Sequence, residues 1–133
     1  MAQGNEMLKQ QPIKIDFNQQ EAITQILPCA PILTSHQAGW HGIHIEYHRQ
    51  PNHETPEYSF PHHTLSIGLK YQAKEFRANG RLYKDFVIGN VGIIPANYSV
   101  KTQAYGNAEF ILLSVESINF ALNAYESVDI DRL

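Results

Sequence analysis

The sequence predicts a mainly β domain, a small jelly-roll β-barrel followed by one short C-terminal helix. Three observations predict it. Several runs alternate apolar and polar residues with the two-residue period of a strand. Asn79-Gly80 sits between two such runs, and this dipeptide is the strongest local hairpin signal because both turn residues must take positive φ. Only after Ser117, a reasonable helix cap, does the period lengthen, with Ile118, Ala121, Leu122 and Tyr125 at helical spacing.

The elements follow in order. The polar opening "MAQGNEMLKQQ" (residues 1–11) is expected to be a flexible arm. The barrel is expected over residues 12–116, and residues 117–133 are read as the helix and the start of a linker. "IKIDF" alternates Ile13, Ile15 and Phe17 with polar partners and reads as a strand, while "QQEAITQILP" is read as a short helix or a loop before Pro28. "GIHIEYHR" places Ile43, Ile45 and Tyr47 on one face and His44, Glu46 and His48 on the other. The second set is expected on a solvated outer face. "QPNHETPEYSFP" carries Pro51, Pro56 and Pro61, so it is read as a loop and cannot be a central strand. "HTLSIGLK", the two arms of "EFRANGRLY", "VGIIP", "SVKTQAY" and "AEFILLSV" complete seven or eight short strands, the pattern of a sandwich or barrel.

Composition narrows the function. The chain has 133 residues, enough for one domain with a real core, and 43% hydrophobic content is ordinary for a globular fold. No apolar run approaches the ~20 residues that span a bilayer, and the opening has no apolar core of a signal peptide. Cys29 is the only cysteine, so no intrachain disulfide forms. A cytoplasmic home is expected, with Cys29 a small buried side chain. The net charge is −3 and Lys and Arg are scattered, whereas a nucleic-acid binder needs a basic stripe to release counterions. By itself the chain is not expected to bind DNA or membranes.

The segment "NGRLYKDFVIGNVGIIPANYSV" resembles the second half of a cupin, in which a glycine precedes a strand that ends in proline. Gly89 and Pro95 match, Asn90 replaces the aspartate that usually follows the glycine, and Asn97 can take the left-handed conformation that glycine often supplies in the following turn. From "PILTSHQAGW" to "AEFILLSVES" the order of strands is similar to the N-terminal domain of AraC-type transcriptional regulators. That resemblance implies a cupin-like sensor that binds a small-molecule effector and forms a homodimer. It implies DNA binding only through a C-terminal helix-turn-helix domain, which these residues lack. Ile118, Leu122 and Tyr125 are the dimerisation candidates. Two alternatives stand beside it: a metal-dependent cupin enzyme, either dioxygenase or isomerase, and a purely structural dimerisation module.

Metal-binding cupins hold an ion with three imidazoles and a carboxylate. The position of their second-motif histidine is Val100 here, and the adjacent pair His62-His63 points to opposite faces of a strand. No metal, cofactor or catalytic residue is therefore expected, and no nucleophile elbow or phosphate loop is present. A small barrel can enclose one ligand between inward-facing residues. The binding candidates are Trp40, His44, Glu46, Arg49, His62 and Tyr83, with Tyr47, Tyr58, Phe60 and Tyr98 as further wall residues.

Overall fold

The computed structural model describes residues 11–70, 73–78, 81–85 and 91–116. The expected arm and the expected terminal helix, including Ile118, Leu122 and Tyr125, lie outside the described residues. Strands β1 (Ile13–Lys14), β2 (Leu33–Thr34), β3 (Ile43–Gln50), β4 (His53–Glu54) and β5 (Tyr58–Ser59) come first. They are followed by β6 (His63–Gly68), β7 (Ala73–Ala78), β8 (Arg81–Asp85), β9 (Val91–Ile94), β10 (Lys101–Tyr105) and β11 (Ala108–Val115). The segment read as a helix or loop before Pro28 forms a single 3₁₀ turn, Ala22–Gln25. The proline-rich stretch read as a loop holds β4 and β5, two residues each, between its prolines.

The long strands pack as a jelly-roll sandwich. A five-stranded sheet has the order β2-β3-β11-β6-β9, a four-stranded sheet the order β4-β10-β7-β8, and β1 pairs with β5 in parallel. Among the described residues these sheets remain separate and do not close into the continuous barrel that the alternation predicted. β7 and β8 pair with Ala78 opposite Arg81, the register of the hairpin expected at Asn79-Gly80, although those two residues lie outside the described set.

The core is built from both sheets and from the chain that enters them. Ile15 and Ile23 are fully buried, and Phe60, Ala104, Phe110 and Leu112 pack with them. Ile15, Ala22, Ile23, Ile26 and Leu27 therefore pack into the space between the sheets, and among the described residues a gap of about 20 Å³ lies there, beside Tyr58, Phe60, Phe110 and Leu112.

Val100 is part of this core. It is buried and exchanges two backbone hydrogen bonds of 2.8 Å with Tyr58. The turn before it is closed by Tyr98 N–H donating to the Pro95 carbonyl at 3.1 Å, and Asn97 takes φ +63° as its place in the motif required. The Asn97 N–H also donates to the Phe60 carbonyl, which ties the turn to the core.

A β-branched residue cannot hold that left-handed backbone cheaply. Asn97→Val should lower the unfolding free energy by roughly 1–2 kcal/mol in urea titration, while Asn97→Gly changes it little.

Candidate functional site

The main departure from the sequence reading lies on β3. Its burial alternates in the opposite phase from that expected: Glu46, His48 and Gln50 are buried, His48 completely, whereas Ile43 is exposed. His44, Glu46 and His48 are therefore not on a solvated outer face. They line the inside of the five-stranded sheet, facing the same interior as Phe110, Leu112 and Ser114 of β11.

The physical reason is that these side chains satisfy one another. Residues two apart on a strand share a face and stand about 7 Å apart. His44 Nε2 and His48 Nε2 each donate to a different oxygen of the Glu46 carboxylate at 2.8 Å. Gln50 Nε2 donates to His48 Nδ1 at 2.9 Å, so the His48 proton sits on Nε2. Gln50 also exchanges two hydrogen bonds with the backbone of Cys29, at 2.7 and 2.9 Å. At the other end Ser35 Oγ lies 3.4 Å from His44 Nδ1 and accepts from the Ile45 N–H at 2.9 Å. The result is a polar ladder along the inner face of β3, with one ionised group at its centre.

Burial pushes the Glu46 carboxyl up. The hydrogen bonds from His44 and His48, with the electrostatic attraction of the same rings, together outweigh it, so that the group is held below the usual carboxylate value of 4.5. A buried carboxylate with two donors is a stable arrangement; the same group alone would be a costly one. Cys29 itself is exposed, contrary to its expected burial, and it is the backbone of this residue that the ladder uses.

The first rung of the ladder opens into a cleft. The cleft holds about 170 Å³ and is lined by Trp40, His44 and His62, together with Phe17, Ser35, His36 and Ser114. At about 30 Å³ per water this is room for five or six waters or one small molecule. A neighbouring hollow of about 220 Å³ reaches Glu46 and shares Phe17, His36 and His44 as its wall. The Phe17 ring stacks on His44 at 4.4 Å and on Phe60 at 5.5 Å, so the wall between the two spaces is anchored in the core. His36 meets His44 edge-on at 6.5 Å. Asp16 and Glu116 also line the cleft. His62 lines this cleft, and its Nδ1, which is itself buried, has no hydrogen-bond partner.

Of the six binding candidates, Trp40, His44, Glu46 and His62 therefore come together around these two spaces. Arg49 does not. It points to the opposite face, where it donates to Tyr47 Oη at 3.1 Å beside Glu109. Tyr83 is on β8 opposite Phe76, and its side chain lies outside the described set. Tyr58 and Phe60 belong to the packed interior. Burial pushes the Tyr58 hydroxyl up to about 12, against a smaller opposing effect of its 2.8 Å bond to Thr102. Phe17, Ser35, His36 and Ser114 were missed as site residues. Phe17 alone carried a usable signal, an aromatic at the inward phase of "IKIDF".

A cupin-type metal centre does not fit these residues. Val100 occupies the place of the second-motif imidazole and is sealed in the core. Both oxygens of Glu46 are already engaged. Among the described residues no three His, Cys, Asp or Glu side chains are arranged to hold an ion.

Neither a protein-family model nor a curated protein matches the chain. Solved structures do. A cupin-like protein from Thermotoga maritima aligns with 65% of this chain and 66% of its own, at 16% identity and TM-score 0.55. A cupin superfamily protein from Desulfitobacterium hafniense aligns with 59% of this chain and 71% of its own, at 13% identity and TM-score 0.53. A cupin-2 domain containing protein from Shewanella frigidimarina gives 66% and 84%, at 9% identity and TM-score 0.53. At such identities the likeness shows the fold, and that fold is the cupin jelly roll. No helix among the described residues is long and apolar enough to cross a membrane.

Two outcomes follow from the ladder. Glu46→Ala strands two buried imidazole N–H groups and should cost about 3–5 kcal/mol in equilibrium unfolding, whereas Glu46→Gln keeps an acceptor and costs less. The lowered carboxyl also makes stability depend on acid. Its contribution is complete above the ordinary value of 4.5 and is lost as pH falls through the lower folded-state value. Acid titration of the unfolding free energy should show that loss in the native chain, and Glu46→Gln should flatten it.

Proposed function

We propose that this chain is the ligand-sensing and dimerisation domain of an AraC-type transcriptional regulator, and that its effector binds in the cleft beside Trp40, His44 and His62. The observation that carries the reading is the buried, unpartnered His62 Nδ1 in the wall of a cleft that also presents an exposed indole. Aromatic surface gives an effector area to bury, and a few convergent polar atoms orient it. His62, Ser35 and Ser114 supply hydrogen bonds, and Trp40 supplies a flat face. The effector enters at the mouth of the sheets, since the interior between them is filled. A small polar molecule with a planar or ring portion suits these walls.

The site recognises without transforming. Glu46 is the only carboxylate within the ladder, and two imidazoles hold it in its ionised form, which leaves it a poor proton donor. The inward phase of His44, Glu46 and His48 favours the second reading, a metal-dependent cupin enzyme. Against it stand Val100 and the engagement of both Glu46 oxygens. Stoichiometric Fe, Mn, Ni or Zn in protein purified without a histidine tag would decide for the enzyme.

Trp40 is the single tryptophan of the chain and therefore reports directly on the cleft. A screen of sugars, small acids and aromatic metabolites should find a compound that raises the melting temperature and changes Trp40 fluorescence at the same concentrations. At 100 times its dissociation constant such a ligand adds about 2.7 kcal/mol. His62→Ala should weaken that binding at least tenfold while the fold is retained. A compound that stabilises the protein equally in the native chain and in His62→Ala, with Trp40 fluorescence unchanged, would move the site elsewhere.

A further inference from the structure

The cleft beside Trp40 and the neighbouring hollow carry charge of one sign. Asp16 and Glu116 line the first, Glu21 and Glu46 line the second, and no lysine or arginine is among the described residues of either wall. The chain as a whole is nearly balanced, with 10 Lys and Arg against 13 Asp and Glu, so the imbalance is local. Asp16 and Glu116 are half-buried, and among the described residues neither pairs with a cationic side chain. The Asp16 carboxylate accepts from the Asn18 N–H at 3.0 Å, which fixes its place in the wall.

We infer that the cleft selects a small organic cation, a protonated primary amine with a ring portion, a step that rests on the cleft being the effector site. Two carboxylates on an open surface would be ordinary solvated groups. Here they share an enclosed space with an indole that is 57% exposed and with the buried, unpartnered Nδ1 of His62. A cleft lined by one sign of charge focuses the field and concentrates ions of the other sign. A small acid would place its own charge beside Asp16 and Glu116 with no cation to receive it, at the cost of its hydration. The indole favours the same sign, because the negative face of its ring attracts a cation. Phe17 cannot add a second such face, since its ring is stacked between His44 and Phe60. One free aromatic face is not the cage that holds a quaternary ammonium. An ammonium with three N–H donors suits the cleft better. Its acceptors would be the two carboxylates, the Ser114 hydroxyl and the free imidazole nitrogen of His62.

Phenethylamine, phenethyl alcohol and phenylacetate share a ring and differ in charge, so they separate the sign of the ligand from its shape. Each is titrated into the full chain with Trp40 fluorescence as the readout. The amine should bind roughly tenfold tighter than the alcohol, and phenylacetate more weakly than both. Added salt should weaken the amine and leave the alcohol unchanged. Asp16→Asn keeps an oxygen for the Asn18 N–H, and Glu116→Gln keeps the length of the side chain. Each should weaken the amine severalfold and leave the alcohol unchanged. Glu54→Gln on the four-stranded sheet removes the same charge away from the cleft, and should alter neither. Alcohol or phenylacetate binding as tightly as the amine would overturn the inference and leave the cleft standing as an effector site. Glu54→Gln weakening the amine as much as Asp16→Asn would also overturn it. If none of the three binds at millimolar concentration the inference falls, while the effector reading is decided separately by the broader screen and His62→Ala.

Discussion

The Glu46 carboxylate, held between two imidazoles on the inside of β3, is the constraint from which the rest of the molecule follows. A strand has only two faces, and a shift of one residue exchanges them completely. Once the ladder from His44 to Gln50 points inward, Ile43, Ile45 and Tyr47 must point outward. β11 lies beside β3 over its full length, and β6 and β9 lie beyond it, so the same phase passes across the sheet by register alone. The outer apolar rows and the inner polar ladder are two consequences of one choice.

That choice also locates the site. The ladder's Gln50 end is tied to the backbone of Cys29, and its His44 end forms part of the cleft wall. Ile15, Ile23, Ile26 and Leu27 occupy the interior that a ligand would take in a hollow barrel, and among the described residues the cleft at the mouth has more room. A polar ladder that ends in a cleft sets the orientation of His44 before any ligand arrives. Such preorganisation lowers the ordering that binding must impose.

Much of the architecture was legible in the residues. Alternation located β3, β6 and β11, Asn79-Gly80 located the β7–β8 hairpin, and the left-handed Asn97 followed from its position after Pro95. The phase of β3 was not legible. Alternation reports a period and cannot say which half of it faces inward, and the usual rule that apolar residues point in gave the wrong face here. The compensation that makes the polar face burial-worthy lies in contacts between His44, Glu46, His48 and Gln50. Their equal spacing was visible, but the donors and acceptors were not. Most of the two-residue strands were hidden for another reason. The alternation of "IKIDF" marked β1, but β2, β4 and β5 carry too few residues for a pattern, and the β1–β5 pairing joins segments distant in the chain. Four of the six candidate binding residues, Trp40, His44, Glu46 and His62, nonetheless line the two spaces.

The inward ladder is tested most directly by nuclear magnetic resonance of the histidine rings near neutral pH. The account predicts that His48 carries its ring proton on Nε2 and that this proton exchanges slowly with solvent, while the ring of exposed His41 exchanges fast. A His48 ring that exchanges as fast as His41 and samples both tautomers would contradict it, and would return β3 to the opposite phase.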